Sequence, residues 1–425
     1  MYLFFVRRYN DVDHIVPIIY RMAKDGVKDI KVFCINFQFD IKRDFRISFL
    51  TKEFNIKAEY YYFSKTVGFR HFLLVTIARF LLFYQYRING NSRIAKHYLG
   101  RFYNKSFYQK YCGASWASSF IESLKPKVIV FDMQKPKPFL KPLIEEAKKR
   151  RIPLLLVPHG INVATNELTT NKAVSDMQDA NYGKNWKDFD FACTQFPLAR
   201  DRMIKNGFSN KRIKVLGSTR YCHNWRKILG EIMPATKYYH DSGGIINVVY
   251  MDHIESWRFN KESVIDSINR LASVDSINLV VKPTTGRTYK SSLGDDLGVV
   301  TRKNCPNITF EENVPSNSLI EWADVVICTI SSIGIEVLLQ NKLLIHPQYF
   351  HGNTLLYSEM NACLTVHNYE ELETAIMKVQ AEPDYRPHSQ EDADKFIEYV
   401  VYGGKKDRDV LGEYKDFILS KAHIT

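Results

Sequence analysis

Short apolar, β-branched runs alternate with helix-period stretches along the chain, and this pattern constrains the fold more than any other feature. A parallel strand needs a long crossover, usually a helix, to return to its sheet. The alternation therefore specifies βαβ units and excludes all-β and all-α folds. The pattern predicts strands over 2–6, 30–37, 58–63, 127–131, 153–157, 189–194 and 213–216, and again over 246–250, 277–281, 308–310, 325–329 and 343–346. Helical patterns fill most gaps, among them 261–272 and 333–339, and two more helices are expected from about Glu370 onward. The 425 residues exceed the roughly 250–300 at which one core stops growing. The expectation is an α/β protein with two Rossmann-like domains facing a central cleft. The first spans 1–233 and carries a basic, aromatic helical insertion at about 64–121; a linker follows at 234–244, a second domain at 245–385 and C-terminal helices over 386–425.

Seven scattered cysteines form no CxxC pair and no Cys/His cluster at metal spacing, so buried, reduced thiols and a cytoplasmic protein are expected. The opening MYLFFVRRYND reads as a first strand rather than a signal peptide. The apolar stretch 69–86 is broken by Arg79 and falls short of a membrane span.

Open parallel sheets bind ligands beyond the carboxyl ends of their strands, where helix N-termini point. Candidate chemistry therefore belongs to the strand-to-helix loops. One loop runs Thr329-Ile330-Ser331-Ser332-Ile333-Gly334-Ile335-Glu336: two hydroxyls and a glycine open a helix, as a phosphate site needs, and Glu336 is placed to accept from a sugar hydroxyl. The plainer alternative is that Ser331 only caps the helix and Glu336 faces solvent. A second loop, Lys282-Pro283-Thr284-Thr285-Gly286-Arg287, sets two cations and two hydroxyls at a strand end, suited to a pyrophosphate or merely to a turn.

In the first half, Val157-Pro158-His159-Gly160 places a histidine at a strand end, as a proton carrier or a structural hydrogen-bonder. Gly217-Ser218-Thr219-Arg220-Tyr221 lines the cleft near the hinge or makes a turn, with Ser218 and Arg220 the residues of interest. Asp252 and Asp132 each close a strand; Asp252 ranks first as base or nucleophile, although aspartates are also routine N-caps. The absence of GxxxxGK[ST], an N-terminal GxGxxG, HExxH and GxSxG motifs disfavours ATPases, NAD dehydrogenases, zinc proteases and α/β-hydrolases. No DxD triplet closes a strand, so neither a metal nor an organic cofactor is expected.

The formal charge is +13, which predicts an anionic partner. From Tyr60 to Ile121 there is no acid at all, while Lys65, Arg70, Arg79, Arg87, Arg93, Lys96, Arg101, Lys105 and Lys110 stand among many aromatics. Such a segment suits an anionic membrane surface or an anionic acceptor, the plainer alternative being a packed helix pair with solvated cations. Glu370 to Lys421 is net acidic, and no nucleic-acid motif is present, so nucleic acid is disfavoured as a partner.

Together the PHG turn, the GSTRY turn, the KP turn and SSIGIEVLLQNKLLIHP resemble GT-B glycosyltransferases of bacterial capsule and lipopolysaccharide assembly. The resemblance extends to transferases using CMP-activated 3-deoxy-manno-octulosonic acid (Kdo) and to CDP-polyol phosphotransferases of teichoic-acid synthesis. It implies a nucleotide-sugar donor in the second domain, held without metal by Lys282, Pro283, Thr284, Arg287, Ser331, Ser332, Gly334 and Glu336. It also implies a glycan or lipid-linked acceptor at the first domain; the charge pattern adds Arg70, Arg79, Arg87 and Arg93 as contacts either to that acceptor or to the inner face of the cytoplasmic membrane. Ser331-Ser332 matches the Ser-Ser turn of the CMP-sugar users, whereas their His-Pro turn is met here by Lys282-Pro283. Catalysis would need a base on the acceptor hydroxyl, Asp252 first and His159 second, with Asp132 behind them. A non-hydrolysing UDP-sugar 2-epimerase shares the architecture but turns over without an acceptor.

Overall fold

The computed structural model describes residues 1–65, 68–88, 92–103, 113–133, 138–166, 186–234, 237–239, 245–252, 258–283 and 307–422. The chain divides into two compact units, one formed by Met1–Gly160, Ala180–Pro234 and Val400–Thr425, the other by Ile161–Asp179 and Ala235–Tyr399.

The first unit is built on seven strands, β1 (Tyr2–Val6), β2 (Ile30–Cys34), β3 (Ala58–Tyr60), β4 (Val128–Asp132), β5 (Leu154–Val157), β6 (Phe191–Thr194) and β7 (Ile213–Val215). All pairs are parallel, in the order β3-β2-β1-β4-β5-β6-β7. Strands covered on both faces must be apolar throughout, and every residue of β1 and β4 is buried. Phe5 of β1 stacks on Phe131 of β4 with ring centres 4.8 Å apart. The order reverses between β1 and β4, which opens a crevice at their carboxyl ends. The crossovers hold α1 (Tyr9–Lys24), α2 (Phe45–Phe54), α3 (Gly68–Phe83), α4 (Arg93–Tyr103), α5 (Ala114–Leu124), α6 (Lys141–Lys149) and α7 (Pro197–Lys205), and α8 (His223–Ile232) follows β7.

The second unit repeats the plan with β8 (Ile246–Met251), β9 (Ile277–Lys282), β10 (Ile308–Phe310), β11 (Val325–Cys328), β12 (Leu343–Pro347) and β13 (Leu364–Val366). These are parallel in the order β10-β9-β8-β11-β12-β13, with the reversal between β8 and β11. Its helices are α9 (Lys261–Ala272), α10 (Ser316–Trp322), α11 (Ile333–Leu339), α12 (Tyr369–Ala381) and α13 (Gln390–Tyr402), the last running on into the first unit's Val400–Tyr402. One core cluster joins Val248, Leu279, Val325 and Ile345 of the sheet to Val264, Ile268, Leu372 and Ile376 of α9 and α12.

A last helix, α14 (Val410–Lys421), belongs to the first unit. Its Tyr414 hydroxyl donates to the Gly217 carbonyl at 3.1 Å, and Lys415 pairs with Asp25 at 2.7 Å. The Ser218 amide donates to the Val401 carbonyl at 2.7 Å. Gly217 has φ +88°, and a Cβ there would lie 2.5 Å from the Val401 oxygen, so only glycine fits the turn.

Several expectations need correction. The run 58–63 is strand only to Tyr60, after which Tyr61–Phe63 coil into a single 3₁₀ turn. The strand expected over 30–37 stops at Cys34, where Cys34 Sγ donates to the Asn36 carbonyl. Strand β13 has no counterpart among the expected strands; its Leu-Thr-Val is half-buried at the sheet edge and lacks a continuous apolar run. Three helices, not two, follow Glu370 or contain it. Cys34, Cys193, Cys222, Cys328 and Cys363 are free and buried; Cys112 and Cys305 lie outside the described residues. Burial pushes the Cys34, Cys222 and Cys328 thiols up to about 12, so they are unreactive near neutral pH.

Candidate active site

Three strand ends of the first unit converge on one cluster. Arg7 follows β1, Asp132 closes β4 and His159 lies two residues beyond β5; Asp11 joins them from the first turn of α1. Asp11 is fully buried. It accepts from the Arg7 amide at 2.6 Å and the Arg8 amide at 3.3 Å through Oδ2, as a carboxylate at a helix N-terminus does. Its other oxygen, Oδ1, stands 2.5 Å from His159 Nδ1. The Arg7 guanidinium donates to Asp132 Oδ2, and its Nε lies 3.4 Å from Asp11 Oδ2. Asp132 Oδ2 is also 3.4 Å from His159 Nδ1.

The protonation pattern follows from these partners. Burial alone would raise the Asp11 carboxyl, but the hydrogen bond from His159, the charge His159 carries when protonated and the Arg7 guanidinium outweigh it and hold the group below its ordinary value. An ionised Asp11 can only accept, so Nδ1 of His159 carries a proton. In the neutral ring Nε2 then holds a lone pair. The His159 side chain is 21% exposed, so the imidazole is anchored at one end and open at the other. That is the arrangement of a general base.

His14, one turn further along α1, is buried; burial, then Arg220 and His159, push it well below its ordinary value, so it stays neutral. The Thr219 hydroxyl donates to the His14 carbonyl at 2.7 Å. Asp13 pairs with Arg46 and, at 3.0 Å, with Arg220. Arg220 also lies over the Tyr221 ring at 4.9 Å. Ser218 is fully buried beneath the 401–414 region, so in this unit it fills the interior of the Gly217 turn and does not line a surface.

Among the described residues, Asp11, Asp132 and His159 are the group able to hold a metal ion, their ligand atoms lying within 4.8 Å of one another. Arg7 already places a guanidinium on both carboxylates, so the cluster is an ion-pair network with its positive charge built in. The Asp11-Val12-Asp13 triplet lies inside α1 and not at a strand end, and each of its carboxylates is paired with arginine.

His159 and Asp132 were among the expected candidates, and Arg7 and Asp11, which the structure places beside them, were not. RRYND follows the first strand directly, but the partners of Arg7 and Asp11 lie 125 and 148 positions away and leave no local pattern.

In the second unit the predicted residues sit at the ends of β8, β9 and β11. Asp252 is buried, and its amide donates to the Lys282 carbonyl at 2.9 Å. Lys282 Nζ donates to the Glu312 carbonyl at 2.7 Å, and burial lowers its pKa against the opposing pull of Glu311 and Glu312. Pro283 is buried; Thr284 and Arg287 lie outside the described residues. Ser331, Ser332 and Glu336 are half-buried at the start of α11. The Ser331 oxygen accepts from the Ile333 amide at 3.3 Å. Gly334 has a packing reason: a Cβ would stand 2.8 Å from the Tyr357 ring, whose hydroxyl donates to the Ser331 carbonyl at 2.9 Å.

No family model matches the chain, and no curated protein matches it. Solved structures do. A Listeria monocytogenes protein named as a UDP-N-acetylglucosamine 2-epimerase aligns over all of this chain and 96% of its own length, with TM-score 0.59 and 11% identity. The UDP-GlcNAc 2-epimerase of Neisseria meningitidis, solved with UDP-GlcNAc bound, aligns over 99% of this chain and 100% of its own, with TM-score 0.57 and 12% identity. A glycosyltransferase from Rickettsia africae ESF-5 aligns over 100% and 99%, with TM-score 0.53 and 11% identity. The fold is GT-B. Within each unit of this GT-B chain, candidate residues stand at the point where strand order reverses, β1/β4 in the first and β8/β11 in the second.

Proposed function

We propose that this GT-B protein is a glycosyltransferase that moves a sugar from a nucleotide-activated donor to an acceptor hydroxyl, with His159 as general base. The 2.5 Å contact between His159 Nδ1 and buried Asp11 carries this reading, because it fixes the ring tautomer and leaves Nε2 to take a proton. As the acceptor oxygen bonds to the anomeric carbon, its proton passes to Nε2, and the bond from that carbon to the nucleotide phosphate breaks. The departing phosphate carries the electron pair; within the second unit, Lys282, Ser331 and Ser332 are the groups proposed to bind the donor nucleotide. The neighbours solved with UDP-GlcNAc and with UDP support a nucleotide-sugar ligand.

The test is turnover of UDP-, CMP-, CDP- and GDP-sugars, a CMP-linked ulosonic acid included because of the Ser331-Ser332 turn. His159→Ala should lower kcat by about 10²–10⁴-fold with donor binding retained. A variant with undiminished kcat overturns the assignment. Polyol phosphate in the product would identify the CDP-polyol reaction instead.

A second reading, a non-hydrolysing 2-epimerase, is supported by Asp132 lying 3.4 Å from the same imidazole, which places two proton-handling groups in one site. UDP-GlcNAc incubated in D₂O without acceptor distinguishes the two: deuterium at C2 identifies the epimerase, and no exchange leaves the transferase.

A further inference from the structure

Helix α3 is apolar on its outward face as well as on its inward one, unlike an ordinary surface helix. His71, Val75, Ala78 and Leu82 turn inward, while Phe69, Phe72, Leu73, Ile77, Phe80 and Phe83 are exposed, Phe69 at 78% and Phe80 at 65%. At about 100° per residue these six fall within roughly 140° of arc, and Arg70 and Arg79, both exposed, stand at its two edges. The neighbouring helix α4 adds exposed Ile94, at 68%, and Tyr98. Together these residues are eight of the thirteen large hydrophobic side chains exposed among the described residues.

An apolar face this large needs a cover, and charge decides which. The segment from Tyr60 to Ile121 has nine cations and no carboxylate. A second copy of the same face would bring cation against cation, whereas an anionic bilayer offers acyl chains to the aromatics and phosphates to the arginines flanking them. No described helix is long and apolar enough to cross a membrane, and α3, 16 residues and therefore about 24 Å long, has the dimensions of a helix lying in the headgroup plane. We infer that α3 seats the first unit on an anionic membrane surface, its Phe face in the acyl boundary and Arg70 and Arg79 on lipid phosphates. The inference rests on this surface alone and is independent of the chemistry assigned to His159.

The experiment is co-sedimentation of the full chain with vesicles of phosphatidylcholine alone and of phosphatidylcholine and phosphatidylglycerol in equal parts. Binding to the mixed vesicles, absent from the neutral ones and weakened by salt, is expected. Phe72→Ser and Phe80→Ser should each weaken it about tenfold or more, and Arg70→Gln and Arg79→Gln about fivefold each. Because Phe72, Phe80 and Arg70 are exposed, the melting temperature of those variants should not move; Arg79 also lies over the Phe63 ring at 5.3 Å, so its variant is compared at matched folded fraction. No binding to the mixed vesicles overturns the inference, as does wild-type binding by the Phe72→Ser/Phe80→Ser double variant. So does a dimer in analytical ultracentrifugation that this double variant dissociates.

Discussion

Asp11 performs two tasks with two oxygens. One closes the first turn of α1 by accepting from the amides of Arg7 and Arg8, and the other holds His159. Its carboxyl titrates below the ordinary 3.8, so the stability it contributes is present above that value and is lost as pH falls through the lowered one. Asp11→Asn removes this dependence: its melting temperature should fall less steeply in acid than the wild type's. In the same variant kcat should fall with His159, because an amide presents the ring with either a donor or an acceptor. A variant with unchanged acid sensitivity would show that Asp11 is not the group responsible. His159 and Asp132 were legible in the sequence because each sits at a strand end. Asp11 was not, since its partner lies 148 positions away and only the β1–β4–β5 order brings the two together.

Elements were more legible than their purposes. The apolar runs located twelve of the thirteen strands among the described residues, because buried parallel strands leave continuous hydrophobic signatures. Yet the glycine in SSIGIE, read as room for a phosphate, also admits the Tyr357 ring against α11. Gly334→Ala should lower unfolding stability by about 1–3 kcal/mol, measured by denaturant titration, as overpacking does; an unchanged midpoint would mean that Tyr357 can move aside. Strand β12 holds a second feature without sequence signal. The Asn353 amide donates to His351 Nδ1, His351 Nε2 stands 3.2 Å from His346 Nε2, and His346 Nδ1 stands 2.8 Å from Ser358 Oγ. This order assigns every proton with both rings neutral. Burial, His351 and His367 push His346 down to about 3, so between the ordinary 6.5 and about 3 the unfolded chain binds a proton that the folded one refuses. Stability of the second unit should therefore decline as pH falls through that window. Hydrogen exchange across β12 should show the decline, and His346→Asn should flatten it.

At the scale of the whole molecule, the charge is uneven: the acid-free aromatic segment is strongly basic, whereas Glu370 to Lys421 is net acidic. The two-sheet plan was legible because it is written in periodicity. The membership of the first unit was not, because it depends on a return of the chain from Val400 onward. That return clamps Gly217 through Val401 and Tyr414, and ties α1 to α14 through Arg21–Asp409 at 2.9 Å and Asp25–Lys415. Removing residues 410–425 should therefore increase hydrogen exchange in α1 and the Gly217 turn while leaving the β8–β12 core protected; equal loss in both units would contradict this. On the ribosome the same wiring reverses the usual order of events. The seven strands emerge first, yet the helix that locks them is made only after the second sheet, so the nascent first unit must stay incomplete, and within reach of chaperones, while its neighbour is synthesised.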